Sequence, residues 1–251
     1  MRRLLVIAGS DSSAGAGLQA DIKTAQAFQV YAQTAVTAVT AQDTDGVHAV
    51  LAMPPKLVRD EIEAALRDIG ADAVKIGMLA NGAIISEVAA ALALLEIPIV
   101  LDPVLASSSG APLLDPAGIA ALVSRLVPRA SLVTPNLPEA RRLSGERTVP
   151  SAARWFLDKG AKAVLVKGGH DERATVRDSL FDAGGGSRIF EAPRQESRHT
   201  HGTGCVLSTA IACGLACGVD LADAVGTAHD FVQRAIRTAP GLGKGRGPLN
   251  L

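Results

Sequence analysis

The sequence lacks several signatures that would assign it to a function class at once. Lys+Arg and Asp+Glu are equal at 25 each, and no block of like charge occurs. Without a basic patch there is no electrostatic footprint for nucleic acid or for an anionic membrane. No stretch has the roughly 20 strongly apolar residues of a spanning helix, and the apolar run 4–8 is too short for a signal peptide. We therefore expect a cytoplasmic protein with no nucleic-acid or membrane partner.

Cysteine is also scarce. The three residues, Cys205, Cys213 and Cys217, all fall in one segment. Cys213 and Cys217 would share a helix face, a spacing that binds metal when further ligands are present. No polar ligands accompany them, so we predict that both are buried by packing. Cys205 would instead lie at a helix start, where a thiol pKa is lowered.

The phosphate-binding motif G-x-x-x-x-G-K-[ST] is absent, which argues against a P-loop kinase. The segment 15–20 formally matches the dinucleotide fingerprint G-x-G-x-x-G/A, with Asp43 at a suitable distance. This match supports a nicotinamide-dependent oxidoreductase as a competing hypothesis. Two features weaken it: the residues 9–14 separate the fingerprint from the preceding strand, where a Rossmann turn is tight, and Asp43 lies in a polar run.

Apolar runs and helical periodicities alternate along the chain, and 48% of its residues are hydrophobic. The predicted strands are 3–8, 32–41, 73–76, 98–101, 131–133, 163–166 and a hairpin of 179–182 with 188–191. The predicted helices are 18–28, 54–69, 81–95, 117–127, 138–143, 150–159 and two that begin near 203 and 221. This order predicts an α/β fold of three αβα layers, with a mainly parallel sheet covered on both faces, in a single domain spanning 1–251.

Polar residues follow most of the predicted strands. In a parallel sheet the carboxyl ends of the strands share one edge, and ligands bind beyond it. The segments are Gly9-Ser10-Asp11, Gln42, Gly77-Met78, Asp102-Pro103, Thr134-Pro135-Asn136 and Lys167-Gly168-Gly169. We expect these distant segments to line one crevice.

The segment His199-Thr200-His201-Gly202-Thr203-Gly204-Cys205 precedes a long run of small, uncharged residues that predicts a helix. Glycine permits positive φ values, and the first N–H groups of a helix are unpaired and carry partial positive charge. Together these features make a site for a phosphate group. The alternative is a tight turn that caps a buried helix.

Three further segments are candidate sites, and two of them have a second interpretation. Asn136 and Glu139 can face one point and hold Mg²⁺, directly or through water, or they can form a capping box. Lys167 precedes two glycines and suits a phosphate. The basic, glycine-rich segment 243–247 is either flexible, as such stretches near chain ends usually are, or closes over phosphates.

These motifs recur together in one family. They are 9–11, 15–21, Ala41-Gln42, 75–79, 102–104, 134–140, 167–170 and 200–205. The chain closely resembles the hydroxymethylpyrimidine and phosphomethylpyrimidine kinases of thiamine biosynthesis, within the ribokinase-like superfamily. The match spans nearly the whole chain. Pyridoxal kinases of the same superfamily are the nearest relatives of that family.

The resemblance implies ATP-dependent phosphorylation of 4-amino-5-hydroxymethyl-2-methylpyrimidine and then of its monophosphate. Gln42 would pair with the aminopyrimidine edge, because an amide donates and accepts at once, and Gly9, Asp21, Met78 and Val104 would complete that pocket. Gly202, Thr203, Gly204 and Cys205 would form the anion hole and catalytic centre. Asn136, Lys167, Gly168 and Gly169 would bind nucleotide, and Glu139 and Asp102 would serve Mg²⁺.

Cys205 stands where most sugar kinases of the superfamily carry an Asp general base, and its thiolate would accept the hydroxymethyl proton. Phosphoryl transfer depends more on positioning and charge stabilisation than on a strong base. The chain departs from the usual pattern at four positions: Ser12 replaces Pro, Ala14 replaces Gly, Leu105 replaces Met and Ser108 replaces Lys. The last change removes a cation near the acceptor.

Two other functions compete with this expectation. A pyridoxal or pyridoxine kinase activity, alone or in addition, belongs to the same class. A ligand-binding regulator belongs to a different class, but the presence of Lys167, Asn136 and Glu139 argues against it, because a silent binder needs no nucleotide residues. The resemblance also implies a homodimer and raises assistance by a monovalent cation.

Overall fold

The computed structural model describes residues 1–107, 110–169 and 174–251. Within these ranges nine strands form one sheet in the order β3-β2-β1-β4-β5-β6-β7-β8-β9. The strands are β1 (Arg3–Asp11), β2 (Tyr31–Gln42), β3 (Val47–Ala52), β4 (Ala73–Ile76), β5 (Ile99–Leu101), β6 (Leu132–Val133), β7 (Ala163–Val166), β8 (Thr175–Asp182) and β9 (Ser187–Pro193). The helices are α1 (Gly17–Ala27), α2 (Pro55–Asp68), α3 (Gly82–Ala91), α4 (Pro116–Ala121), α5 (Leu137–Ser144), α6 (Val149–Asp158), α7 (Thr203–Ala216) and α8 (Leu221–Arg237).

The predicted α/β class and mainly parallel sheet are confirmed. Strands β2, β1, β4, β5, β6 and β7 run parallel, while β3 at one edge and β8 and β9 at the other run antiparallel to their neighbours. Chain order reverses at β1, because β2 pairs on one side of it and β4 on the other. A crevice forms where the chain leaves such a reversal, at the carboxyl ends of the strands.

Alternating side chains of the sheet divide the core into two layers. Leu4 and Val6 of β1 pack with α1, α7 and α8, whereas Leu5 and Ile7 pack with the helices of the other face. Strands buried on both faces read as continuous apolar runs, which is why β7 has the predicted bounds. Strand β4 also has its predicted bounds, although the charged Lys75 interrupts its apolar run. No helix in the described ranges has the length and apolar character needed to cross a membrane.

Most predicted bounds agree with the structure to within four residues, and the differences are larger at two places. Strand β3 was not predicted, because its apolar residues do not alternate with polar ones and it lies exposed at the edge of the sheet. The predicted helix 117–127 is α-helical only to Ala121, and a π-helical turn (Leu122–Leu126) and a 3₁₀ turn (Val127–Arg129) follow. Pro128 has no backbone N–H to donate, so an α-helix cannot continue through it.

Candidate active site

A cavity of about 750 Å³ opens at the carboxyl edge of the parallel strands. Among its lining residues are most of the predicted site residues: Gly9, Gln42, Met78, Asp102, Val104, Asn136, Glu139, Lys167, Gly169, Gly202, Thr203, Gly204 and Cys205. Gly9 and Gln42 lie at the carboxyl ends of β1 and β2, and the others follow β4, β5, β6 and β7 or begin α7. The structure therefore brings these distant segments into one crevice. Ser108 and His170 lie outside the described residues.

Two predicted residues do not reach the cavity. Asp21, predicted to contact substrate, has a fully buried side chain whose Oδ2 lies 2.7 Å from Lys75 Nζ. Its Oδ1 accepts a hydrogen bond of 2.6 Å from Thr209. Gly168 also stays behind the lining, and its N–H donates to Asp178 Oδ1 at 2.8 Å. Both Asp21 oxygens are therefore engaged inside the protein, behind the residues that line the cavity.

The loop before α7 has the geometry that its glycines predict. Gly202 is the N-cap of α7 with φ +82°, and a Cβ there would lie 2.0 Å from the Gly15 carbonyl oxygen. A side chain at Gly204 would meet Lys167 Nζ at 3.1 Å. The free N–H groups of this helix start therefore face the cavity beside the Lys167 ammonium group, an arrangement suited to a phosphoryl anion.

Lys167 and Asp102 form a buried ion pair, with 2.7 Å between Nζ and Oδ1. Burial lowers the pKa of Lys167, but the negative charges of Asp102 and Glu139 outweigh it and hold the pKa above its usual value. Lys167 therefore stays cationic in the cavity. Its backbone N–H donates to the Pro135 carbonyl at 2.9 Å, which joins the β6 and β7 edges.

Asn136 and Glu139 form the capping box that was one of their two interpretations. The Asn136 side chain accepts from the Glu139 N–H at 2.8 Å, and Glu139 Oε2 accepts from the Asn136 N–H at 2.8 Å. Both residues also line the cavity, so capping does not remove them from it. Burial, together with the negative charge of Asp102, raises the pKa of Glu139 to about 7 against the opposing effect of the Lys167 charge.

Cys205 has the opposite pKa shift from the predicted one. Burial raises the pKa of its thiol to about 11, and the nearby Lys75 ammonium group offsets only part of that shift. The position at the helix start does not compensate for lost hydration. Cys205 is therefore a thiol at neutral pH in the unliganded protein.

The other two cysteines match their prediction only in part. Cys213 is buried, as predicted, but Cys217 is exposed at the end of α7. In the described ranges no three His, Cys, Asp or Glu side chains form a group that could hold a metal ion.

Gly9 and Met78, both predicted substrate residues, pack against each other at the reversal of chain order. A Cβ on Gly9 would lie 2.9 Å from Met78 Sδ, and the β1–β2 register shifts at this residue. Thr37 holds the Met78 carbonyl at 2.6 Å. The close packing of Gly9 against Met78 and the hydrogen bond from Thr37 therefore fix the position of Met78 in the cavity wall.

Sequence reasoning did not assign roles to three buried charged or polar residues of the site. His201 Nε2 lies 2.8 Å from Asp11 Oδ2, which connects the start of α7 to the loop after β1. Lys75 lies beneath Cys205 with its partner Asp21. All three stand inside the recognised motifs, but their partners are distant in sequence, so the motifs alone gave no sign of the pairing.

The segment 243–247 is not loose, contrary to one of its two interpretations. The Gly245 N–H donates to Thr44 Oγ1 at 3.1 Å, and the Arg246 N–H donates to the Thr44 carbonyl at 2.9 Å. Arg246 lines the main cavity and a neighbouring one of about 350 Å³. The segment therefore forms a wall of the site.

The sequence matches the family model described as phosphomethylpyrimidine kinase over residues 11–250. The hydroxymethylpyrimidine/phosphomethylpyrimidine kinase of Haemophilus influenzae is 41% identical, with 100% of this chain and 96% of the relative covered. The thiamine biosynthesis bifunctional protein ThiED of Geobacter sulfurreducens is 44% identical over 98% of this chain. The chain spans about half of that longer relative, 51% of its length.

Solved structures agree with this fold. The ADP complex of Bacillus subtilis pyridoxal kinase superposes with a TM-score of 0.90 at 34% identity, covering 100% of this chain and 97% of that one. The phosphomethylpyrimidine kinase of Clostridium difficile gives a TM-score of 0.82 at 38% identity, covering 94% and 100% of the two chains. The likeness covers essentially the whole architecture described above.

Proposed function

Because the chain belongs to the phosphomethylpyrimidine kinase family, we propose that it phosphorylates 4-amino-5-hydroxymethyl-2-methylpyrimidine with ATP and then phosphorylates the resulting monophosphate. The observation that carries this function is the meeting of the α7 N-terminus with Lys167 and Gln42 in one cavity. The helix start and Lys167 suit the transferred phosphoryl group, and the Gln42 amide suits an amino-substituted ring.

In this function the hydroxymethyl oxygen attacks the γ-phosphorus, and the bond between that phosphorus and the bridging oxygen of ADP breaks. The N–H groups of Gly204 and Cys205 and the Lys167 ammonium group stabilise the charge on the transferring oxygens. The attacking oxygen becomes strongly acidic only as it bonds to phosphorus. Only the thiolate form of Cys205 could take that proton, and it is a small fraction at neutral pH when the thiol pKa is about 11. With Cys205 in its thiol form, the proton passes instead to an oxygen of the transferred phosphoryl group, so a raised pKa is compatible with turnover.

Asn136 and Gly169 would bind the nucleotide together with Lys167, and Gly168 would shape their turn through its bond to Asp178. The buried carboxylates of Asp102 and Glu139 fit Mg²⁺, which prefers oxygen ligands, keeps several waters and neutralises phosphate charge when bound. Glu139 supports this fit because its raised pKa reflects a carboxylate that the protein alone leaves incompletely compensated.

The remaining expectations extend the same function. We propose a single catalytic domain over 1–251, a homodimer, a cytoplasmic location and assistance by a monovalent cation. The homodimer and the cation follow from the family resemblance, and the single domain and the location follow from the sequence pattern. Gel filtration with light scattering tests the dimer, and turnover in potassium against tetramethylammonium buffer tests the cation.

Pyridoxal kinase activity is the second candidate, because the superposition with a pyridoxal kinase is as high as 0.90 in TM-score. The experiment measures ADP release with Mg²⁺-ATP and the pyrimidine alcohol, its monophosphate or pyridoxal. Turnover with both pyrimidines and little with pyridoxal is the expected result, and it would also show that Ser108 is tolerated. Turnover with pyridoxal alone would assign the protein to the second function, and no turnover with any of them would contradict both.

A further inference from the structure

His201 stands at the junction of the loop after β1 and the anion hole, and the proposed chemistry gives it no role. Its Nε2 lies 2.8 Å from Asp11 Oδ2 and 3.1 Å from Gln42 Nε2. The residue is 5% exposed, and a Cβ on Gly15 would lie 2.5 Å from its Cδ2. The packed ring therefore presents a single nitrogen to two polar groups.

Asp11 determines whether that nitrogen carries a hydrogen. The Asp11 carboxylate accepts from the Ser13 N–H and hydroxyl at 2.8 Å each, from the Ala16 N–H at 2.8 Å and from the Gly15 N–H at 3.2 Å. Burial raises its pKa, but hydrogen bonds from His201 and Ser13 outweigh burial and hold the pKa below its usual value. Asp11 is therefore an acceptor only, and His201 Nε2 must be the donor in their contact.

The Gln42 amide then has one favourable orientation. An NH₂ group facing His201 would place donor against donor, whereas a half-turn about Cγ–Cδ presents Oε1 to the imidazole N–H. Thr40 requires the same half-turn on the other side of the amide. The Thr40 hydroxyl donates its hydrogen to the Ser10 carbonyl at 2.9 Å. Thr40 Oγ1, which lies 3.3 Å from the nearest atom of the Gln42 amide, can therefore only accept, and it requires the donor Nε2 of that amide on its side.

We propose that His201 is a positioning residue that fixes the Gln42 amide with Oε1 on the His201 side and Nε2 on the Thr40 side. A ring in the pocket must then present a donor toward His201 and an acceptor toward Thr40. This deepens the proposed function and rests on it, because Gln42 is there the residue that contacts the pyrimidine.

The orientation selects an amino ring over an oxo ring. His201 directly precedes the anion hole, so the hydroxymethyl carbon and the neighbouring 4-position lie on its side. A 4-amino group donates to Oε1 while the bare ring nitrogen accepts from Nε2. A 4-oxo ring presents the reverse pattern, a carbonyl beside an N–H, and the fixed amide opposes it at both positions.

The test compares 4-amino-5-hydroxymethyl-2-methylpyrimidine with its 4-oxo analogue. For each protein the ratio of the two kcat/KM values is measured, and the ratio of the two Kd values is measured by calorimetry without nucleotide. We expect His201→Phe to lower the amino preference by up to about tenfold, since one neutral hydrogen bond is worth about that factor. His201→Gln, whose amide nitrogen can donate to Asp11 and Gln42 together, should keep it.

A His201→Phe protein that loses both rings equally, with an unchanged ratio, would show a purely structural role and overturn the inference. If His201→Phe does not fold, Thr40→Val is used, because it removes the acceptor on the Thr40 side of the Gln42 amide. An unchanged ratio of amino to oxo ring in Thr40→Val would likewise overturn the inference. Failure of the wild-type protein to phosphorylate the amino ring would instead contradict the proposed function, while the Kd ratio still reports on the amide.

Discussion

The buried pair of Asp21 and Lys75 offers the sharpest prediction about stability. Both side chains are 0% exposed and lie 2.7 Å apart beneath the anion hole. Burial lowers the pKa of Lys75, but the Asp21 charge outweighs it and holds the pKa above its usual value. Lys75 therefore stays protonated inside the core, where Asp21 is its hydrogen-bonded counter-charge and Asp102 adds a weaker attraction.

Asp21→Asn leaves the ammonium group without a counter-charge, and Lys75→Met leaves the carboxylate with only the Thr209 hydroxyl. Breaking a buried pair costs about 3–5 kcal/mol, because the remaining charge is uncompensated. Replacing both members by neutral groups of similar size is often close to neutral. We therefore expect each single variant to lose about 3–5 kcal/mol of unfolding free energy, and the double variant to recover most of that loss.

The assay is urea unfolding followed by circular dichroism, analysed as a double-mutant cycle. The matched control is Asp60→Asn, which breaks the Lys56–Asp60 pair, where the side chains are 84% and 49% exposed. An exposed pair of this kind contributes about 0.3–0.5 kcal/mol. The reasoning would be refuted if either single variant lost less than about 1 kcal/mol of unfolding free energy. It would also be refuted if the double variant were no more stable than the less stable of the two single variants.

Three further predictions concern the site. Cys205→Ala should retain measurable turnover at saturating substrates. Gly204→Asp, whose side chain meets Lys167 and fills the anion hole, should retain less turnover. Equal loss of turnover in both variants would contradict a minor role for Cys205 as a base. In a Cys217→Ser background, alkylation of Cys205 should accelerate as pH rises beyond 9, and a plateau near pH 7 would show that its thiol pKa is not about 11. Glu139 has a folded-state pKa of about 7 against an ordinary 4.5, so its contribution to stability is full below 4.5 and is lost as pH rises through 7. Glu139→Gln, which keeps the capping box, should therefore show a smaller loss of stability between pH 5 and 8, and parallel pH profiles would argue against the shift.

The parts of the fold that sequence predicted are those governed by local rules. The β7 run is apolar because both faces of the sheet are covered, and the predicted helix 81–95 begins where the Asn81 side chain accepts from the Ile84 N–H. No such local rule predicts strand β3, because it forms by pairing with β2 at an exposed edge of the sheet, where most of its side chains lie in solvent.

The candidate site divides in the same way. The crevice follows from topology, since polar residues after parallel strands meet at one edge. The state of each side chain does not follow, because it depends on neighbours distant in sequence. Asp21 is occupied by Lys75 at a separation of 54 residues, and partial burial by surrounding elements raises the pKa of the Cys205 thiol.

The contacts between the loop after β1 and α7 also have a consequence for how the molecule assembles. Asp11 meets His201 across 190 residues, and Asp21 meets Thr209 across 188. Closing loops of this length carries a large entropic cost before any contact is gained, and folding dominated by such contacts is slow. The ligand site is therefore complete only once α7 has docked against the segment that follows β1, because the start of α7 lines the cavity. A nascent chain whose α7 is still inside the ribosome lacks one wall of the pocket. A substrate added during refolding therefore binds only those molecules in which α7 has already docked.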